Sequence, residues 1–236
     1  MKTRPLILVA ALALLAWAPP VRAQEETTRG EFWPEIDAWV GLGEGSRLYF
    51  LATVARNKDE NLREGMVGAH VDFFLKPINP RRRARLDGPD LIKRRYLAFR
   101  AGYRYAWDVN DSAGYQEHRV LFEITGRTPA TGGFVLINRN RLDLRDVNGE
   151  RSWRYRNRTR LERDIALDSR AATPYAMIEF GYDSRYDVWN RQRYFAGIEW
   201  PIGKTPILDT YYCRQNDSRS SIAHVNAFGL ALNLFF

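Results

Sequence analysis

From residue 32 onward, large apolar side chains recur at every second position in runs of ten residues or more, and turn-rich pieces separate the runs. Period two is the mark of a strand with one face toward an apolar medium and the other toward a polar one. Eleven such segments are predicted: 32–41, 46–56, 66–76, 95–107, 117–127, 134–145, the run SWRYRNRTRLERD, 173–183, 190–200, 205–215 and 228–236. In 66–76, Val67, Ala69, Val71, Phe73 and Leu75 oppose Gly68, His70 and Asp72; in 117–127, Val120, Phe122 and Ile124 oppose Arg119, Leu121 and Glu123. The run from Ser152 is the sharpest, with Trp153, Tyr155, Asn157, Thr159 and Leu161 alternating with Arg154, Arg156, Arg158, Arg160 and Glu162, a spacing from which no helix would benefit. In 205–215 the faces stay open, because Asp209 and Arg214 fall on opposite sides.

Repeated alternation of this kind, with aromatics on the apolar face, predicts an all-β transmembrane antiparallel barrel rather than a soluble sandwich. The last segment agrees: Phe228, Leu230, Leu232, Leu234 and Phe236 make a fully apolar face ending on an aromatic, and Ala227, Gly229, Ala231 and Asn233 lie opposite. That ending resembles the signal by which the barrel-assembly machinery reads its substrates, so that machinery and periplasmic chaperones are the expected partners during biogenesis. Barrels of this class normally have an even number of strands. With eleven segments the expectation is ten to twelve, twelve preferred: either a short strand precedes the first segment or ten close without it. With the chain end in the periplasm, turns at 41–45, 129–133 and 201–204 fall on the periplasmic side and loops at 57–64, 108–116, 184–189 and 216–222 face outward.

The first twenty-three residues read as an export signal. Lys2 and Arg4 precede an apolar stretch from Leu6 to Trp17, and Val21-Arg22-Ala23 is a small-x-small cleavage site. The stretch falls short of the roughly 20 residues a membrane helix needs. The expected division is therefore a signal peptide at 1–23 and a barrel at 24–236, located in the outer membrane of a Gram-negative cell. A composition of 45% hydrophobic and 27% charged residues suits a soluble domain equally well, but seven tryptophans tilt toward a membrane. Cys213 is the single cysteine, so no internal disulfide is expected, and no lipid-anchor cysteine follows the signal. The net charge of +8 falls by three when Lys2, Arg4 and Arg22 are removed; with export, nucleic acid is excluded as a partner.

Lipid-facing charges cost about 2–4 kcal/mol near mid-bilayer, so the charged faces must point inward. The interior then holds Arg139, Arg141, Arg154, Arg156, Arg158, Arg160, Arg191 and Arg193 with Asp143, Glu162, Glu179 and Glu199. Planar guanidiniums pair with carboxylates in a fixed geometry, and lysine is almost absent from these faces. Two readings follow: a narrow channel whose surplus arginines select small anionic solutes, which is preferred, or a closed structural or lipid-contacting barrel braced by ion pairs. Catalysis is the weaker reading. Ser220, Ser221, His224 and Asn226 lie close together near the outer rim and would suit a lipid hydrolase, yet the serine, histidine and asparagine spacing of the outer-membrane phospholipases is not reproduced. Three scattered histidines and one cysteine predict neither a metal site nor a cofactor. The basic segment at 81–95 reads as a solvated turn or as a phosphate-contacting one. Lipids of the outer membrane and a small anion are the remaining expected partners, and the barrel is expected to be a monomer.

The stretches EFWPEIDAW, YLAFRAGYRY, NRNRLDLRDVNGERSWRYRNRTRLERD, YDSRYDVWNRQRY and YYCRQNDSRSSIAHVNAFGL resemble those of a Gram-negative outer-membrane barrel family known only as a domain of unknown function. The resemblance extends over essentially all of the chain after the signal. It implies a barrel and an outer-membrane address, and brings no substrate, cofactor or catalytic residue.

Overall fold

The computed structural model describes residues 28–57, 62–77, 95–111, 114–167, 170–202, 205–220 and 222–236. The signal segment, Ser221 and the basic segment up to Arg94 lie outside the described residues. The fold is all-β: β1 (Thr28–Gly41), β2 (Ser46–Asn57), β3 (Leu62–Pro77), β4 (Arg95–Asp108), β5 (Gln116–Pro129), β6 (Phe134–Val147), β7 (Glu150–Arg163), β8 (Ile165–Leu167), β9 (Arg170–Asp183), β10 (Val188–Pro201), β11 (Pro206–Asp217) and β12 (His224–Phe235). Each of the eleven segments read from alternation corresponds to one long strand. The twelfth, β8, spans three residues and pairs with β9 in the register that β7 already keeps: Glu162 faces Tyr175, and Ile165 faces Ala172. It therefore continues β7 past Asp164, whose carboxylate accepts a 2.8 Å hydrogen bond from the Thr173 hydroxyl.

Eleven walls close the barrel, within the expected range of ten to twelve, and the odd number has a geometric consequence. Consecutive strands run antiparallel, so the first and last of an odd set run the same way. Accordingly β1 pairs with β12 in parallel, from Thr28 opposite His224 to Trp39 opposite Phe235. Among the described residues neither remedy expected for the odd count is built; the seam is a parallel ladder. Its lower end is tied by Gly41 N–H donating to Phe236 O at 2.9 Å and Phe236 N–H to Trp39 O at 2.7 Å. Closure leaves no free sheet edge, which is the condition for a sheet to exist in hydrocarbon.

Burial is inverted relative to a soluble domain. Phe50, Phe73, Val120, Phe122, Ile124, Leu136, Leu144, Leu161 and Phe228 are exposed, while Asp72, Glu117, Asp143, Asp183 and Glu179 are buried. The apolar faces read from the sequence are the outer surface. Aromatic side chains form a girdle toward the end opposite Phe236, where Trp153 stacks on Tyr182 at 5.2 Å and Trp189 meets Tyr182 edge-on at 5.8 Å. At that end β6 and β7 are joined by Asn148-Gly149, with φ of 51° and 88°, the pair of positive dihedrals that a two-residue hairpin matching strand twist requires.

Inside the wall, large rings lie over glycines on the adjacent strand. A Cβ built on Gly229 would come within 2.0 Å of the Tyr211 ring, and one on Gly197 within 2.6 Å of Tyr175. Register places these residues in one row, Tyr175–Gly197–Tyr211–Gly229–Trp33, so aromatic and glycine alternate across five strands. Each ring covers the strand that lacks a side chain, the arrangement by which glycines in curved sheets are protected.

Two outcomes are expected. In a Cys213→Ser background, Ile36→Cys with Leu232→Cys, opposite each other on the parallel seam, form a disulfide on mild oxidation, because adjacent strands lie about 4.8 Å apart. Failure to cross-link in the folded barrel contradicts the seam. Gly229→Ala lowers the free energy of urea unfolding by about 1–3 kcal/mol through overpacking against Tyr211, whereas Gly126→Ala, where an added Cβ meets nothing within 4 Å, leaves it unchanged.

Candidate functional site

Strand alternation aims one side chain in two at the barrel axis, and on β4 to β10 these are chiefly arginines and carboxylates. They sort into levels. Nearest the end that carries Phe236, Asp72 on β3 is held between Arg47 (2.9 Å) and Arg100 (2.6 Å). Arg47 stacks on Trp39 at 3.6 Å, and Phe235, Trp39, Tyr49 and His70 form a run of stacked rings across β12, β1, β2 and β3. Across the interior Arg160 bridges Glu162 (2.9 Å) and Glu199 (2.5 Å) and lies over Tyr175 at 3.7 Å.

At mid-height Glu179 gathers three guanidiniums: Arg158 at 2.7 Å, Arg193 at 3.4 Å and Arg156 at 3.8 Å. Arg156 also reaches Asp143 (2.9 Å), which accepts from Arg141 (2.6 Å), and Arg139 faces Glu123 at 3.6 Å. Above them, Glu117 holds Arg145 (2.5 Å) and Arg119 (2.7 Å). Asp183 is met by Arg145, Arg154 and Arg185, and Asp217 by Arg191 at 2.5 Å. One carboxylate commonly serves two or three arginines. The ladder is therefore mechanically fixed yet short of negative charge.

A cavity of about 700 Å³ runs beside this ladder, from rim residues such as Asp108, Arg185 and Ser220 down to mid-barrel, and a second of about 260 Å³ lies below it. Both are bordered by Glu35, Asp37, Arg100, Arg139, Arg158 and Arg160. The larger is lined by fourteen arginines against seven aspartates and glutamates. The distribution is lopsided. Glu31, Glu35 and Asp37 come from β1 and Glu64 from β3, with Tyr49 donating to Asp37 at 2.9 Å, while most arginines come from β4 to β10. Space exists because the interior face of β12 is small: Val225, Ala227, Gly229 and Ala231. Next to it Tyr175, Phe195 and the buried thiol Cys213 pack with Val225 and Ala227, so one side of the cavity is apolar.

All eight arginines singled out from the sequence border the larger cavity: Arg139, Arg141, Arg154, Arg156, Arg158, Arg160, Arg191 and Arg193. Their carboxylates Asp143, Glu162, Glu179 and Glu199 take the ion-pair positions just described. Sequence reasoning did not single out Arg100, Arg104, Arg119, Arg145 and Arg185, nor Glu117, the partner of Arg119 and Arg145, nor Asp217, the partner of Arg191. Alternation already put Arg100, Arg104, Arg119 and Arg145 on polar faces; only the register reveals that they meet. Arg104 differs from the rest, for its Nε–H donates to Nε2 of His70 at 3.0 Å, and the other ring nitrogen of His70 contacts Tyr49 O at 3.2 Å.

The hydrolase candidates are dispersed over two surfaces. Ser220 borders the cavity, and its hydroxyl accepts from Ile222 N–H at 3.2 Å. His224 and Asn226 lie on the outer face of β12, where His224 Nδ1 is 2.8 Å from Asn216 Oδ1 and Asn226 Oδ1 accepts from Tyr212 at 2.8 Å. Asp209 points inward toward Tyr175, and Arg214 points outward, which settles the two faces of 205–215. Among the described residues no group of His, Cys, Asp and Glu is arranged to hold a metal ion.

Fold and inverted burial together define a transmembrane-type antiparallel β-barrel with a charged interior. The chain belongs to the DUF2490 family of proteins of unknown function, whose model matches residues 92–226, more than half of its length. Among solved structures it is similar to the beta domain of the Bordetella autotransporter Brka (16% identity, 78% of this chain and 81% of that one, TM-score 0.43). It is also similar to LpxR from Salmonella typhimurium (8% identity, 85% and 87%, TM-score 0.49) and to OmpT of Vibrio cholerae (12% identity, 76% and 58%, TM-score 0.36). No curated protein matches its sequence.

Glu179 is the keystone of the mid-height network. Glu179→Gln leaves Arg156, Arg158 and Arg193 without their shared countercharge and lowers the unfolding free energy of the barrel refolded in liposomes by about 3–5 kcal/mol. Arg151→Gln, which removes an exposed 3.9 Å pair with Asp146, changes it by less than about 1 kcal/mol.

Proposed function

We propose that this protein is an outer-membrane barrel that provides a narrow path for small organic anions. The observation that carries the reading is the lining of the larger cavity, where arginines outnumber carboxylates by fourteen to seven. Guanidiniums held on buried carboxylates such as Asp143, Glu179 and Asp183, which stand behind the lining, cannot swing away, so the cationic face they turn toward the path is fixed in place. A ring of fixed cationic side chains is the usual device by which a pore favours anions. Opposing it, the Glu35–Asp37 pair on β1 supplies a negative side, so that a solute crossing mid-barrel meets a transverse field and is oriented by it. The apolar side formed by Phe195, Val225 and Ile222 suits solutes with a nonpolar portion beside the anionic group.

A second reading has its own support. Most of the central arginines are already bonded to carboxylates, as in a barrel braced by ion pairs without transport. Planar-bilayer recording separates the two. Conduction by the refolded mature protein under a salt gradient is expected to give steady openings with a reversal potential on the anion side. Arg104→Gln moves that potential toward zero; its Nε bonds a neutral ring nitrogen, so its removal deprives no ion-paired carboxylate of a partner. Silent barrels that migrate as folded on an unheated gel overturn the channel and leave the braced barrel.

A further inference from the structure

On the outer surface of β11 and β12, at the end opposite Phe236, a polar cluster sits on the face that otherwise meets lipid. Arg214 donates through Nε to Asn216 Oδ1 at 3.2 Å and through NH1 to Asn226 Oδ1 at 3.0 Å. Asn226 Oδ1 also accepts from the Tyr212 hydroxyl, and Asn216 Oδ1 lies 2.8 Å from His224 Nδ1. Register makes these neighbours direct: Arg214 faces Asn226, and Asn216 faces His224. The face is the outer one, since Tyr212 and Phe228 on it are 50% and 51% exposed while Cys213 and Asp217 on the other are buried.

Arg214 breaks the rule that the interior arginines keep. Those described above, Arg104 apart, are countered by carboxylates; Arg214 bonds two neutral amides and, among the described residues, makes no ion pair. Its two hydrogen bonds use two of the five N–H donors of a guanidinium. Both amide oxygens are turned to the arginine, leaving their NH2 groups as further donors beside an uncompensated positive charge. Such a charge at mid-bilayer would be costly, but Arg214 lies two residues beyond Tyr212, toward the rim on the side of the aromatic girdle. Girdle aromatics mark headgroup depth, so Arg214 stands among headgroups. Below it Phe228 stacks on Phe32 of the neighbouring strand at 6.1 Å, an aromatic shelf at acyl-chain depth.

We infer that Arg214, Asn216, His224 and Asn226 form a binding site for the phosphate group of a lipid of the outer leaflet, with its chains lying over Phe228 and Phe32. A planar guanidinium accepts two phosphate oxygens at once, and the amide donors complete the contact. The site is on the opposite side of the wall from the cavity, so it stands whether or not the barrel conducts.

The test is native mass spectrometry of the mature protein, refolded in dodecyl maltoside, after addition of lipid A, dephosphorylated lipid A or phosphatidylglycerol. Wild type is expected to retain phosphorylated lipid about tenfold better than the dephosphorylated form, and Arg214→Gln to lose about that factor, the worth of a charge-assisted hydrogen bond. Arg151→Gln, at the same rim but paired with Asp146, retains lipid as wild type does. Preference for lipid A or for phosphatidylglycerol upholds the site and names its source. Equal retention of phosphorylated and dephosphorylated lipid, or undiminished retention by Arg214→Gln, overturns it. Should the glutamine variant not fold, Arg214→Lys, which keeps the charge and loses the planar fork, must also show weaker retention.

Discussion

A sheet surrounded by hydrocarbon can leave no backbone N–H or C=O unpaired, and the architecture follows from that demand. Eleven strands in simple succession satisfy it only if the first and last pair in parallel, since alternation of direction fails once in any odd ring. The seam from Thr28/His224 to Trp39/Phe235 is that single failure, made good by a regular ladder rather than by a twelfth strand. Closure also sets the side-chain problem. Every second residue faces outward and most of these are apolar, while the polar ones bond one another, as Asn138, Asn140 and Asn157 do; every other residue is driven into a space too narrow for them all to be large.

The chain meets this crowding in two ways. On β4 to β10 it uses long arginines that fold against the wall because buried carboxylates hold them there. On β9 to β12 and β1 it alternates rings with glycine and alanine, as in the row Tyr175–Gly197–Tyr211–Gly229–Trp33. Arginine ladder and small-residue wall thus face each other, and the cavity of about 700 Å³ is the space left between them. Stability and the proposed conduction draw on the same groups. Glu179 braces three strands and at the same time fixes where the surplus charge of Arg156, Arg158 and Arg193 lies.

Most of the wall was legible before any coordinates, because period two is local: Trp153 through Leu161 against Arg154 through Glu162 admits one reading. Candidate interior arginines were legible for the same reason. What stayed hidden depends on register, which alternation leaves free by any even shift. That Arg145 spans from Glu117 to Asp183, or that His70 covers Gly102, requires knowing which rung meets which. Parity of the strand count was hidden too, because the parallel seam has no local signal; β1 and β12 look like any other pair of strands. The short β8 was missed since Asp164 interrupts the alternation of β7 without ending its pairing. Arg214 could be seen to conflict with Asp209 across strand faces, and only the structure shows which face is which, with Asp209 inside and Arg214 outside.

That resolution bears on how charge is used throughout the barrel. Inside, the arginines described above are held by buried carboxylates, with Arg104 on His70 as the exception, and those carboxylates reduce their pull on a passing anion. An arginine outside and above the girdle needs no such carboxylate, since headgroups and water solvate it, and so it can be left to neutral amides. In the two proposals the same residue type takes two roles set by environment: a dense array along the cavity, already screened by its carboxylates, and one guanidinium on the surface that offers its planar fork. A mutation that removes charge inside must be judged against the partner it strands, whereas one at Arg214 strands no carboxylate and takes a donor only from the amides of Asn216 and Asn226, which keep His224 and Tyr212 as neighbours.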